Sequence, residues 1–316
     1  MPGVRIAGLA QARPATTVTN ADLLARGLDI DDAWVLARTG IRQRTVSPDL
    51  GVVGLATEAA GKALAASGVE GGDVDLWLLA TTTMPTPIPQ GAPQVAAALG
   101  GRGAALDLNA GCAGFCHALA LGADAVRAGS ARSVVVVGAE RLSDWIDPHD
   151  RGTAVLFGDG AGALVLLADD DQERRDVGPV AWGSDGAAAG LIRVPERGGF
   201  VQMEGRAVYR WATGELTRHL RAACGQAGVD PADLDGVVVH QANLRIVDAL
   251  VRSLGVDEAR TLVSRDIVDT GNTSSASIPM ALARMAGTGR LPPGARVLSF
   301  AFGAGLSYAG QVLTLP

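Results

Sequence analysis

One stretch of the chain recurs at a fixed displacement, and this limits the folds open to it. Gly68-Val69-Glu70-Gly71-Gly72-Asp73-Val74-Asp75 leads into the apolar Leu76-Trp77-Leu78-Leu79-Ala80, just as Gly228-Val229-Asp230-Pro231-Ala232-Asp233-Leu234-Asp235 leads into Gly236-Val237-Val238-Val239-His240. Ala80 and His240 lie 160 residues apart (240 − 80), and the same step carries Gly111-Cys112 onto Gly271-Asn272 (272 − 112). Each copy reads as a helix, an acidic turn, a short buried strand and later a glycine-led reversal, as expected of one α/β unit used twice. A chain of 316 residues with 48% hydrophobic content can bury two such halves against each other. The only seam between them is the charged run 168–176, a turn rather than a flexible linker. The halves are therefore expected at residues 1–170 and 171–316.

The reversals carry the chemistry. Residues 103–108 are apolar and strand-like, Gly111 permits a tight turn, and residues 113–126 are helix formers without proline, so Cys112 falls at a helix start. The free amides and the positive end of the helix dipole at such a site favour a thiolate, with an expected lowering of about one or more pH units from the free-thiol value near 8.5. His240 ends an apolar strand, where open α/β sheets gather ligands. Asn272 follows Gly271 at the equivalent of the cysteine turn; it could be a plain helix cap, as His240 could be a plain core histidine. The repeat argues otherwise, because it sets Cys112 and Asn272 at matching turns about a pseudo-dyad. A fourth reversal, Gly303-Ala304-Gly305, lies between two strand-like runs and can bring backbone N–H groups close to a ligand.

Composition excludes several classes. The sequence has no long apolar run of membrane-helix length and no N-terminal leader pattern, so a cytoplasmic protein outside the membrane is expected. Three cysteines, Cys112, Cys116 and Cys224, do not make a disulfide framework. Cys116 and His117 stand near Cys112, but no paired Cys-x-x-Cys accompanies them, so no metal is expected. A net charge of −6 without a basic run gives no support to nucleic-acid binding. Of 27 Lys and Arg residues only Lys62 is lysine, which reads as coding bias rather than function.

Taken in order, Cys112-Ala113-Gly114-Phe115, the segment from Asp150-Arg151-Gly152-Thr153 to Phe157-Gly158-Asp159-Gly160-Ala161-Gly162, His240-Gln241-Ala242-Asn243 and Gly271-Asn272-Thr273-Ser274 resemble the ketosynthase III enzymes of the thiolase superfamily. The likeness spans nearly the whole chain. It implies a five-layered αβαβα fold of two pseudo-symmetric halves. It also implies an acyltransferase that primes fatty-acid or polyketide synthesis by decarboxylative Claisen condensation. Cys112 would accept an acyl group from acyl-coenzyme A and pass it to malonyl-acyl-carrier protein. The amides of Cys112 and Ala304 would hold the thioester oxygen, and His240, neutral, would join Asn272 in donating hydrogen bonds to the malonyl thioester. No cofactor is implied beyond the coenzyme A thioester substrate. A related alternative passes the acyl group to an alcohol or amine instead.

By the same resemblance, Trp34 stacks on adenine, Arg38 meets phosphate and Arg151 covers the other adenine face. Met203, Gly205 and Asn243 line the pantetheine tunnel, Phe157 borders the acyl channel, and Ile88 lies about where relatives place a residue that closes the partner's acyl pocket. The resemblance further implies a homodimer. Arg210, Arg245 and Arg252 match positions of positive charge suited to an acidic carrier protein, the last two lying seven apart on one helix face. Two departures stand out. The loop 84–93 is rich in proline, with Ile88 where an aromatic residue is common, and the segment 183–203 is short and rich in Gly and Ala.

Overall fold

The computed structural model describes residues 1–196 and 198–316. Two five-stranded mixed sheets dominate it. The first runs in spatial order Gly3–Ala12, Asp159–Asp169, Ser133–Arg141, Leu76–Ala80 and Ala104–Leu108. Its last three strands are parallel and the other two antiparallel. The second runs Leu262–Val263, Gly236–Val239, Arg296–Gly303, Ser307–Thr314 and Ala181–Ser184, with three parallel strands followed by two antiparallel ones. Read from opposite ends the two orders coincide, Leu76–Ala80 matching Gly236–Val239 and Ala104–Leu108 matching Leu262–Val263. The repeat is thus a repeat of topology.

Helices Gly114–Arg127 and Ser277–Ala286 lie between the sheets. Val52–Ser67 and Ala92–Ala98 cover the outer face of the first sheet, and Gly205–Gln226 and Leu244–Leu254 cover that of the second. The result is the five-layered αβαβα architecture of the thiolase fold. Burial explains the composition of each layer. Strand Ser133–Arg141 is buried at all but its last position, which is why it reads as continuous valine rather than as alternation. In the middle layer Phe115, Leu119 and Val126 pack with Ile278, Leu282 and Met285 against Val4, Leu164 and Val297. Gly162 lets helix Ser277–Ala286 come close, since a Cβ there would lie 2.6 Å from the amide nitrogen of Met280. A smaller apolar group, including Val35, Ile41, Leu142, Leu156 and Phe157, roofs the ends of the parallel strands. No helix among the described residues is long and apolar enough to cross a membrane.

Candidate active site

Four turns meet over the middle layer. Gly111 takes φ 57° and Gly271 φ 68°, so Cys112 and Asn272 each follow a left-handed glycine. Two residues after Cys112 the helix Gly114–Arg127 begins. His240 leaves strand Gly236–Val239 with its backbone N–H donated to the Phe300 carbonyl at 2.8 Å. The turn at Gly303 closes the circle. Cys112, His240, Asn272, Gly303 and Ala304 all line one cavity of about 1280 Å3.

The orientation of each side chain has a visible cause. Ser274 donates its backbone N–H to Asn272 Oδ1 at 2.8 Å, leaving Nδ2 as the donor of that carboxamide. His240 Nδ1 lies 2.7 Å from Ser277 Oγ, and the Gln241 amide donates to the same oxygen at 3.5 Å. That network sends the serine proton to Nδ1 and the ring proton to Nε2. Burial lowers the His240 pKa to about 3, so the ring is neutral. Phe302 packs edge-on against it, 5.3 Å between centroids.

Cys112 departs from expectation. Burial pushes its thiol up to about 11; the Ser274 hydroxyl and the amides of Cys112 and Ala304 pull the other way, and the nearby Glu140 adds to the rise. Cys112 is therefore held as a thiol, not as the thiolate expected at a helix start. The reason is its enclosed setting: although the residue keeps some exposure to the cavity, desolvation penalises charge more than the helix amides support it. Those amides stand ready for charge that develops on reaction. Gly303 is packed so tightly here that a Cβ on it would lie 2.9 Å from the Cys112 nitrogen.

Glu140 was not among the residues singled out from the sequence. It is fully buried at the end of Ser133–Arg141 and accepts hydrogen bonds from the hydroxyls of Thr83 at 2.7 Å, Ser275 at 2.7 Å and Ser274 at 3.1 Å, and from the Thr82 amide. Ser274 Oγ also stands 3.2 Å from Cys112 Sγ. A lone acidic residue closing a run of valines was the available signal, since an unpaired buried carboxylate is costly without a purpose. Ser274 and Ser277, which set Asn272 and His240, were missed because serine at a helix start usually means a cap.

The mouth of the cavity is basic. Arg38, Arg151, Arg193, Arg206, Arg210 and Arg245 line it, with no carboxylate among the described lining residues. The Arg38 guanidinium lies 4.6 Å and that of Arg151 5.5 Å from the Trp34 ring centroid. Arg151 thus rests on Trp34 itself and pairs with Asp29 at 3.3 Å, so an adenine could enter between them only if Arg151 moved. Asn243 lines the cavity, yet its carboxamide is committed at both ends, to the Arg38 carbonyl at 3.0 Å and the Arg245 amide at 2.9 Å. Met203, Gly205 and Phe157 also line it, and the segment Ile192–Arg193 with Gln202–Met203 forms a small ribbon at its rim. Arg245 stacks on Tyr209 at 5.2 Å. Arg252, an exposed residue in the last turn of Leu244–Leu254, is not among the cavity residues. Neither is Ile88, which is 81% exposed and does not reach the cavity of its own chain.

A fold of two ketosynthase-like halves with a cysteine, a buried histidine and a buried asparagine at their junction defines a class of carbon–carbon bond-forming acyl transferases. Residues 106–197 match the 3-oxoacyl-[acyl-carrier-protein (ACP)] synthase III profile and residues 224–315 its C-terminal counterpart. Beta-ketoacyl-[acyl-carrier-protein] synthase III 4 of Streptomyces coelicolor is 48% identical over 99% of both chains. The priming β-ketosynthase of the R1128 polyketide pathway superposes with a TM-score of 0.94 at 41% identity, covering 100% of this chain and 97% of that one. The 3-oxoacyl-(acyl carrier protein) synthase III of Pseudomonas aeruginosa gives 0.93 at 39%, covering 99% and 98%. This chain belongs to the β-ketoacyl-[acyl-carrier-protein] synthase III family of acyl-transferring enzymes.

Proposed function

We propose that this enzyme condenses an acyl-coenzyme A starter with malonyl-acyl-carrier protein through an acyl group on Cys112, releasing carbon dioxide and a 3-oxoacyl-carrier protein that begins a fatty-acid or polyketide chain. The observation that carries the reading is the convergence of Cys112, His240 and Asn272 on one cavity with the Ala304 turn beside the sulfur. In the first half-reaction the sulfur attacks the thioester carbon, and the amides of Cys112 and Ala304 hold the oxygen as it becomes negative. In the second, His240 Nε2–H and Asn272 Nδ2 donate to the malonyl thioester oxygen. That stabilises the enolate left when carbon dioxide departs, and the enolate attacks the acyl carbon on Cys112.

Delivery to an alcohol or amine would ask for a general base at His240. A ring with a pKa of about 3 is a strong enough donor but a weak base, which favours condensation. The arginine-lined mouth suits the phosphates of coenzyme A and of the carrier's prosthetic arm, with Trp34, Arg38 and Arg151 toward the nucleotide and Arg210 and Arg245 toward an acidic carrier. Ile88 and the exposed Leu106 on the edge strand Ala104–Leu108 support pairing with a second copy in a cytoplasmic homodimer.

The test loads wild type, Cys112→Ala, His240→Ala and Asn272→Ala with acyl-coenzyme A, reads the adduct by intact mass, then adds malonyl-carrier protein and measures carbon dioxide. Cys112→Ala should carry no adduct. The other two should acylate yet release carbon dioxide about 100-fold more slowly or worse. An acylated wild type that releases none, while esterifying a hydroxyl acceptor, would end the condensation reading.

A further inference from the structure

Acylating a thiol that rests protonated requires a destination for its proton, and the geometry supplies one. Among the described residues Ser274 Oγ is the one side-chain atom within hydrogen-bond reach of Cys112 Sγ, at 3.2 Å, and the same oxygen lies 3.1 Å from Glu140 Oε1. A hydroxyl owns a single proton, so Ser274 can donate to only one of these neighbours while accepting from the other. Burial raises the Glu140 pKa and so strengthens its carboxylate as a proton acceptor. With Glu140 ionised and Cys112 a thiol, the donors run from sulfur through Ser274 to Glu140; once the sulfur is ionised, the Ser274 hydroxyl donates to it instead. His240 is not on this path, because Ser277 donates to its Nδ1 and the ring proton on Nε2 leaves no free acceptor.

We propose that Glu140 takes the Cys112 proton through the Ser274 hydroxyl as the acyl–sulfur bond forms and returns it when the sulfur is expelled. This rests on the reading that Cys112 is the acylated residue. Two observations beyond the distances support it. Ser274, with φ 50°, is the one described non-glycine residue in the left-handed region, a conformation that carries strain and persists at functional positions. Among the described residues the hydrogen-bond partners of Glu140 are all neutral donors, the hydroxyls of Thr81, Thr82, Thr83, Ser274 and Ser275 and the Thr82 amide. The Cys112 thiol is a titratable neighbour close enough to feel its charge, and the adjoining Arg141 pairs with Asp144 at 3.3 Å. A carboxylate without a cation partner can accept a proton without breaking an ion pair.

The steps balance. In the first half-reaction the S–C bond forms, the thiol proton moves to Ser274 Oγ, the Ser274 proton moves to Glu140, and the coenzyme leaves as a thiolate that is protonated by water at the mouth. In the second, the enolate forms its new carbon–carbon bond, the Cys112–acyl bond breaks with its electron pair on sulfur, and the proton held by Glu140 returns through Ser274. One proton is consumed overall, by the coenzyme thiolate.

Glu140 acts through Ser274 and is therefore a positioning and proton-holding residue, not a substrate contact. The experiment is rapid-quench intact-mass measurement of Cys112 acylation at saturating acyl-coenzyme A, from about pH 6.5 to 8.5, in wild type, Glu140→Gln and Ser274→Gly. Glycine removes the hydroxyl while easing the left-handed backbone, so this variant keeps the test valid even if Glu140→Gln folds poorly. Both variants should acylate about 100-fold more slowly near neutrality, and their rates should climb about tenfold per pH unit as hydroxide replaces the relay, against a flat wild type. Wild-type rates in Ser274→Gly, or slowing by the same factor at every pH, would overturn the relay. Absence of any adduct in wild type would instead remove the reading of Cys112 beneath it.

Discussion

A Cβ built on Gly303 would stand 2.7 Å from the Cβ of Cys112 and 3.1 Å from its sulfur, so the fourth turn touches the nucleophile through bare backbone. Contacts that short do not occur between real side chains, and neither turn is free to retreat. Gly303→Ala is expected to displace the sulfur from the Ala304 amide, abolish the acyl adduct in intact-mass assays and cost about 1–3 kcal/mol of stability. An alanine variant that still acylates at the wild-type rate would show that this contact does not position the thiol.

The state of the resting thiol can be read directly. With the pKa of Cys112 raised to about 11, alkylation by iodoacetamide in Glu140→Gln, which has no carboxylate to take the proton, should quicken about tenfold per pH unit from pH 7 to 9 with no plateau. A plateau below pH 8 would mean that the helix amides outweigh burial after all.

His240 makes stability depend on pH in a defined direction. Its folded pKa lies below the unfolded value near 6.5, so the unfolded chain binds the extra proton. The stability tied to its neutral form is complete above about pH 6.5 and is lost as the pH falls toward 3. Replacing it by Gln should flatten the fall of the thermal midpoint between pH 7 and 5; an unchanged slope would mean that the ring is not held neutral.

Trp34 and Arg151 should act as a pair. Trp34→Ala is expected to raise KM for acyl-coenzyme A about tenfold with little change in kcat, and adding Arg151→Ala should cost less than its effect alone, because both form one stacking surface. Strict additivity would separate them.

The carrier side is tested by charge. Arg245→Glu should raise KM for malonyl-carrier protein far more than for acyl-coenzyme A, and the wild-type KM for the carrier should rise with salt. Equal effects on both substrates would remove Arg245 from docking. Arg252 lies farther from the mouth and should matter less.

Much of this arrangement was legible beforehand because it leaves local marks. Left-handed glycines before Cys112 and Asn272, and acidic turns before two buried strands, follow directly from backbone geometry, and the resemblance built on those motifs named the family. What stayed hidden depends on distant atoms. The protonation of Cys112 is decided by the closing of the cavity around it, and no window of sequence around residue 112 contains that. Glu140 looks like the polar end of a strand until Thr83, Ser274 and Ser275, from two other elements, point their hydroxyls at it. Arg151 reads as a free adenine clamp, yet it lies on Trp34 and pairs with Asp29. Ile88 points out to solvent, where only another chain could give it a role.

The strands bearing the nucleophile come from one copy of the repeat and those bearing the imidazole and carboxamide from the other, so the reactive constellation belongs to neither unit. A sub-ångström slip of one against the other along helices Gly114–Arg127 and Ser277–Ala286 would leave every strand and helix whole while pulling the sulfur away from its donors. Loss of turnover should then precede loss of circular dichroism on warming, with quiescence coming from misalignment well before melting.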